Sequence, residues 1–214
     1  MATNIASIPL YYVKGLAFTS VYYIVLLILA VFGLIEWRRK MKRIVVIGPE
    51  STGKSTLCQQ LADHYQTVWC PEYAREYLLE NGMHYSYEDL TQIAKGQIAL
   101  QASMESKAKN ELYFVDTDMY VMKVWHEVAF ANCPTWILKQ LAQATCDLYL
   151  LCNTDLPWTK DELREYPDLL TRQRLFNMYK DIVINSGCPW IVICGTNEER
   201  LQEAIKAVDH ISNK

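Results

Sequence analysis

Two hydrophobic patterns divide the chain near residue 40. From Gly15 to Ile35 run 21 residues without a charge, rich in Leu, Ile, Val, Tyr and Phe. No polar face interrupts them, as it would on an amphipathic helix. At about 1.5 Å per residue such a helix crosses a bilayer core of roughly 30 Å. Beyond residue 40 the pattern changes. Short β-branched runs alternate with stretches of helical spacing: strands at Arg43–Ile47, Thr67–Cys70, Leu112–Val115, Leu148–Cys152 and Trp190–Cys194, and helices at Lys54–Tyr65, Tyr87–Lys109, Met119–Glu127, Trp136–Ala144, Leu169–Asn185 and Glu198–Ile211. Continuous apolar strands separated by helices predict an α/β three-layer sandwich around a five-stranded, mainly parallel sheet.

Charge sharpens the first segment. The basic run Arg38-Arg39-Lys40-Met41-Lys42-Arg43 follows the apolar span, and only Lys14 precedes it. The positive-inside rule then places the C-terminal side in the cytoplasm. Tyr11, Tyr12 and Trp37 stand near the two ends, where interfacial aromatics belong. A cleaved signal peptide would carry its charge before the apolar run. A buried core helix is the plainer alternative. A start at Met41 is another, since Met-Lys-Arg-Ile-Val-Val-Ile-Gly is a natural opening for a nucleotide-binding strand. The expected organisation is a membrane-spanning helix with its basic flank over 1–40 and an α/β domain over 41–214, cytoplasmic and tethered to the membrane if 1–40 is translated.

Composition removes other classes. The formal charge is −3 and the basic residues form no broad patch, so a nucleic-acid partner is not expected. The seven cysteines include no C-x-x-C pair and the four histidines are scattered. A reduced domain without a disulfide framework or structural zinc follows.

The strongest chemistry lies at Gly48-Pro49-Glu50-Ser51-Thr52-Gly53-Lys54-Ser55-Thr56, which completes the pattern G-x-x-x-x-G-K-S. The glycines let backbone N–H groups curl around phosphates. Lys54 brings a charge to the β and γ phosphates, and the Ser55 hydroxyl can ligate Mg²⁺. The strand before and the helix after complete the context, so ATP and Mg²⁺ are the expected cofactors.

Ligands of an open α/β sheet bind at the carboxyl ends of its strands. Strand two ends in Pro71-Glu72-Tyr73-Ala74-Arg75-Glu76, and strand three in Asp116-Thr117-Asp118. Asp116 is placed to hold Mg²⁺, or else to cap the next helix. Glu72 is placed as a general base against a substrate hydroxyl. Asp118 can share that role or bind a ribose. Arg75 can meet a phosphate or pair with a nearby carboxylate. After strand four, Asn153-Thr154-Asp155-Leu156-Pro157-Trp158 leads to Asp161, Arg164, Arg172 and Arg174, the region where small-molecule kinases keep an arginine-bearing lid. Gly195-Thr196 is placed to border an adenine.

In order, Gly-Pro-Glu-Ser-Thr-Gly-Lys-Ser-Thr-Leu, Pro-Glu-Tyr-Ala-Arg-Glu-Tyr, Val-Asp-Thr-Asp and Asp-Leu-Pro-Trp resemble the ribosylnicotinamide kinase domain of the NadR family, over about 41–211. The resemblance implies ATP-dependent phosphorylation of nicotinamide riboside to nicotinamide mononucleotide. It does not extend to adenylylation or repression, because the His-x-Gly-His signature and the helix-turn-helix of full NadR proteins are absent here. Lys14-Gly15-Leu16 and Gly33-Leu34-Ile35-Glu36-Trp37-Arg38 resemble the final helix of PnuC-type nicotinamide riboside transporters. That implies possible coupling to such a transporter. The rival readings are a kinase for another nucleoside or small metabolite, and a regulator that binds ATP or GTP without an acceptor.

Overall fold

The computed structural model describes residues 8–9, 11–38 and 41–212, and the backbone alone at 35–38. Arg39, Lys40 and the side chains of Trp37 and Arg38, which were to form the basic and interfacial flank, lie outside that description. The chain divides into two units, Met1–Met41 and Lys42–Lys214.

In the first unit, α1 (Ala17–Arg38) is a 22-residue helix. It starts two residues later than the apolar run, because Gly15 has a φ of 75° and its N–H turns back to the Tyr12 carbonyl. Ala17–Leu34 has a mean hydropathy of 2.3, and the helix is long and apolar enough to cross a membrane. Its polar Ser20 satisfies its hydroxyl on the Ile8 carbonyl at 3.0 Å.

The second unit runs β1 (Lys42–Ile47), α2 (Lys54–His64), β2 (Trp69–Cys70), α3 (Tyr73–Asn81), α4 (Tyr87–Glu105), β3 (Leu112–Asp116), α5 (Met119–Phe130), α6 (Thr135–Gln143), β4 (Leu148–Cys152), α7 (Leu169–Asn185), β5 (Trp190–Ile193) and α8 (Asn197–Ser212). The sheet order is β2-β3-β1-β4-β5, with every pairing parallel. The chain steps outward from β1 to one edge and then passes it to reach the other. The loop after β1 therefore leaves the sheet at a topological switch point.

Strand alternation sorts the core. Ile44, Val46, Phe114, Leu148, Leu150 and Cys152 meet Leu57, Cys58 and Leu61 of α2 and Ala204 and Val208 of α8. Phe114 is fully buried there, and truncating such a side chain to Ala costs about 3–5 kcal/mol. A second cluster joins Ala74 and Leu78 of α3 to Leu90, Ile93 and Ala94 of α4, Met119 and Met122 of α5 and Ile137 of α6. Caps fix the helix starts. Ser86 and Asp89 form a reciprocal capping box on α4, and Asp168 accepts the Thr171 N–H of α7 at 2.7 Å.

The elements agree with the alternating pattern apart from shifted ends, the largest at α4, which stops at Glu105 rather than Lys109, and two further differences. Helix α3 follows directly on Glu72, where the sequence pattern read only a polar strand end. Its nine residues bury just Ala74 and Leu78 before Gly82 ends it, too little for a visible period. Strand β2 is confined to Trp69–Cys70, because the Thr67 N–H is taken by the Ala62 carbonyl of α2 at 2.9 Å.

Candidate active site

The loop between β1 and α2 is shaped by its own residues. Gly48 has a φ of 146°, and a Cβ there would meet the Cys152 carbonyl at 2.8 Å, so only glycine lets the loop pass this close to β4. Gly53 has a φ of 78° and precedes α2 without a side-chain cap, which leaves the first-turn N–H groups for a ligand. Thr52 closes the loop on itself through the Pro49 carbonyl at 2.7 Å. Lys54 Nζ donates to the same carbonyl at 2.9 Å.

Carboxylates from two other strands converge on this loop. Ser55 Oγ donates to Asp116 Oδ2 at 2.5 Å. Asp116 is fully buried, and burial pushes its carboxyl above the usual range, against the pull of Lys54 and the Ser55 hydrogen bond. Glu72 is pushed up too, first by burial and then by the charge of Asp116. Its carboxylate accepts no hydrogen bond among the described residues. Its position is fixed from below by α4. Gln97 Oε1 accepts the Tyr73 N–H at 2.7 Å and Gln97 Nε2 donates to the Pro71 carbonyl at 3.2 Å, one bond on each side of Glu72.

Asp118 goes elsewhere. Extended backbone would put it on the same face as Asp116, but the intervening Thr117 has a φ of 73°, rare for a β-branched residue. The twist sends Asp118 to the opposite face. There it caps α5 through Tyr120 N at 2.9 Å and takes the Tyr149 hydroxyl at 3.0 Å. Asp118 does not line the loop's cavity, whereas Glu72 does.

The cavity holds about 380 Å³, within the range of small-molecule sites. Residues 48–56 form one side, and Glu72, Asp116 and Thr117 the floor. Leu78, Val121, Val124, Trp125 and Val128 make an apolar wall, and Leu163–Tyr166 with Tyr179 close the remainder. Trp125 is fixed by donating from Nε1 to the Tyr85 hydroxyl at 2.8 Å.

Of the lid arginines, Arg164 lines the cavity and donates to Ser51 Oγ at 3.3 Å. Arg172 is buried under the loop and donates to the carbonyls of Ser51 and Leu156 at 3.3 and 3.2 Å. Burial lowers its pKa. Arg174 is exposed on α7, outside the cavity. Arg75 pairs with Asp161 at 3.0 Å rather than with its neighbours in sequence. Arg200, buried on α8, donates to the carbonyls of Thr52, Asn153 and Gly195 and pairs with Asp155, which ties the phosphate loop to the ends of β4 and β5.

These residues suit a magnesium nucleoside triphosphate. Two carboxylates held above their usual range gain from a cation beside them. The buried Arg172 Nε has no hydrogen-bond partner. No cluster of three or more His, Cys, Asp or Glu exists among the described residues. Magnesium commonly takes one or two protein ligands beside phosphate oxygens and water, which matches Ser55 and Asp116.

Fold and loop together define a P-loop nucleotide-binding domain. The chain belongs to the AAA domain family, which matches residues 43–200. Residues 1–39 match the family described as nicotinamide mononucleotide transporter. The trifunctional NAD biosynthesis/regulator protein NadR of Salmonella typhimurium is 26% identical over 155 residues, which is 71% of this chain and 38% of that protein. The chain thus spans well under half the length of this curated relative. A crystal structure of NadR in complex with NR superposes with a TM-score of 0.67 at 22% identity, over 83% of this chain and 54% of that one. The deoxyadenosine kinase of M. mycoides, solved with dATP, shares the fold with a TM-score of 0.54 at 11% identity, over 78% of this chain and 99% of that one.

Proposed function

We propose that the chain is an ATP-dependent kinase that phosphorylates the 5′-hydroxyl of nicotinamide riboside, yielding nicotinamide mononucleotide for NAD salvage. One observation carries this reading: a half-buried carboxylate, Glu72, with no hydrogen bond among the described residues, shares a single cavity with the phosphate loop and an apolar, Trp-bearing wall. A nucleotide switch without an acceptor has no use for that wall or that base. The NadR relative and the NR-bound NadR structure support the choice of nucleoside.

The roles follow from position. The 48–56 backbone, Lys54 and Ser55 hold the triphosphate, and Ser55 and Asp116 hold Mg²⁺. When bound, the ion shields phosphate charge. Glu72 orients the acceptor hydroxyl and takes its proton as the oxygen attacks the γ-phosphorus and ADP leaves. Arg164 and Arg172 offer guanidinium donors to the transferring group, and the segment above them excludes water. The apolar wall receives the base of the nucleoside. The span of α1, the basic flank after it and the transporter-like 1–39 support a domain tethered at the cytoplasmic face of the membrane. Import coupled to phosphorylation would trap the nucleoside as a charged product.

The test is an acceptor panel read by ADP release and product mass. The reading expects release that depends on nicotinamide riboside, with the product heavier by one phosphoryl group. Release with a different nucleoside would replace the substrate. Slow hydrolysis indifferent to every acceptor would replace the kinase with a regulator.

A further inference from the structure

The phosphate loop contains a residue that phosphate binding does not explain. Glu50 places a negative charge where the ligand is a polyanion, and like charges at close range repel. Its carboxylate is turned away to the segment following β4. Oε1 accepts from Trp158 Nε1 at 3.2 Å and from the Tyr166 N–H at 2.7 Å, and Oε2 accepts from the Glu165 N–H at 2.9 Å. Ser51, next in the chain, is held at a φ of 55°, a strained setting for a residue with a Cβ. From there its Oγ accepts from the Thr159 N–H at 3.0 Å and from Arg164, and its carbonyl accepts from Arg172.

We propose that Glu50 and Ser51 form a latch that holds the 156–166 strap over the phosphate loop and positions Arg164 and Arg172 for the reaction. Two consecutive loop residues reach both ends of the strap and both arginines. Most of the donors are backbone N–H groups or long side chains that no other element of the fold engages. Hydrogen bonds to an ionised acceptor are the stronger kind, and here they join parts of the chain that share no secondary structure. Arg172 also holds the Leu156 carbonyl and Leu163 packs on the α3–α6 cluster, while the side-chain ties from Arg75 to Asp161 and from Tyr85 to Glu165 are exposed and weaker. Glu50 is therefore a positioning residue, acting on the reaction through the arginines.

The experiment uses the full chain with Glu50→Ala and Glu50→Gln, without nucleotide or acceptor. Hydrogen exchange of the amides over 158–166 is followed by mass spectrometry, with β1 as internal control. Loss of bonds to a charged acceptor raises exchange of the strap by about tenfold or more in the Ala variant. The Gln variant, which keeps one acceptor oxygen, falls between. Trypsin cleavage after the exposed Lys160 accelerates in the same order. Unchanged strap exchange in either variant, with β1 still protected, overturns the latch. Should Glu50→Ala lose β1 protection, the Gln variant alone decides. A kinetic arm rests on the kinase reading: kcat for transfer falls about tenfold in the Ala variant and is partly restored in the Gln variant. An unchanged kcat with a loosened strap overturns the positioning role. Failure of the kinase reading would appear in the wild type as absent transfer, while the exchange result still decides the latch.

Discussion

The phosphate loop and the strap above it bound one cavity but are built by opposite means. The loop's shape is local. Two glycines with positive φ, a threonine closing on the Pro49 carbonyl and the start of α2 determine it within nine residues. The strap has almost no regular structure, and its partners lie far away in sequence. Trp158 meets Glu50 across 108 positions, and Arg164 meets Ser51 across 113. A locally encoded part keeps its shape when a neighbour is altered. A part held by distant hydrogen bonds can open, which is what a site that admits substrate and then excludes water requires.

The largest expected effect lies on the loop side. Lys54 makes one hydrogen bond in the free protein, to a loop carbonyl. Lys54→Ala should therefore leave the thermal midpoint nearly unchanged while turnover drops by about a hundredfold or more, as when a preorganised charge is removed. A large fall in the melting temperature would instead make Lys54 a structural member of the loop.

Next comes the shelf beneath Glu72. Gly96 lies inside α4, and a Cβ there would come within 2.0 Å of the Tyr73 ring. Alanine is the better helix former by about 1 kcal/mol, yet overpacking costs about 1–3 kcal/mol. Gly96→Ala should lower stability in a urea titration and also slow turnover, because the displaced ring adjoins the base. A stabilised variant would show that the shelf yields easily.

The strap side should respond least. Asp161 is held below the usual carboxylate range, first by the Leu163 N–H and then by Arg75. A lowered pKa means that its contribution is complete above the unfolded-state value and is lost as pH falls through the folded-state value. With Arg75 half exposed, solvent screening leaves less than about 1 kcal/mol for Asp161→Asn at neutral pH. The difference between variant and wild type should vanish in acid melts. A gap that persists well below pH 4 would assign the effect to packing.

Legibility in the sequence follows the same division. The five strands, the loop and Asp116 were readable, because buried parallel strands form continuous apolar runs and the loop's glycines have no substitute. Glu72 and Arg164 could be placed near the cavity from strand order alone. Asp118 could not be placed correctly, since the turn at Thr117 has no sequence signal: threonine there argues against positive φ. Arg174 was drawn in by proximity to Arg172, whereas one residue on a helix advances about 100° and two separate the faces. Gln97 and Arg200 went unread, although a signal existed. Gln97 falls on the buried stripe of α4 with Leu90, Ile93 and Ala94, and Arg200 on that of α8 with Ala204 and Val208. A polar residue at an apolar position of a helix marks a buried hydrogen-bonding task.

The central claim is that Glu72, and not Asp118, faces the acceptor across the loop. Single-turnover transfer measured side by side in Glu72→Gln and Asp118→Asn tests it most directly. The geometry predicts a loss of about a hundredfold or more for Glu72→Gln, as for removal of a general base, with thermal stability preserved or raised because a carboxyl disfavoured by burial is gone. For Asp118→Asn it predicts near-native transfer. Near-native transfer in Glu72→Gln, with the loss appearing in Asp118→Asn, would contradict it.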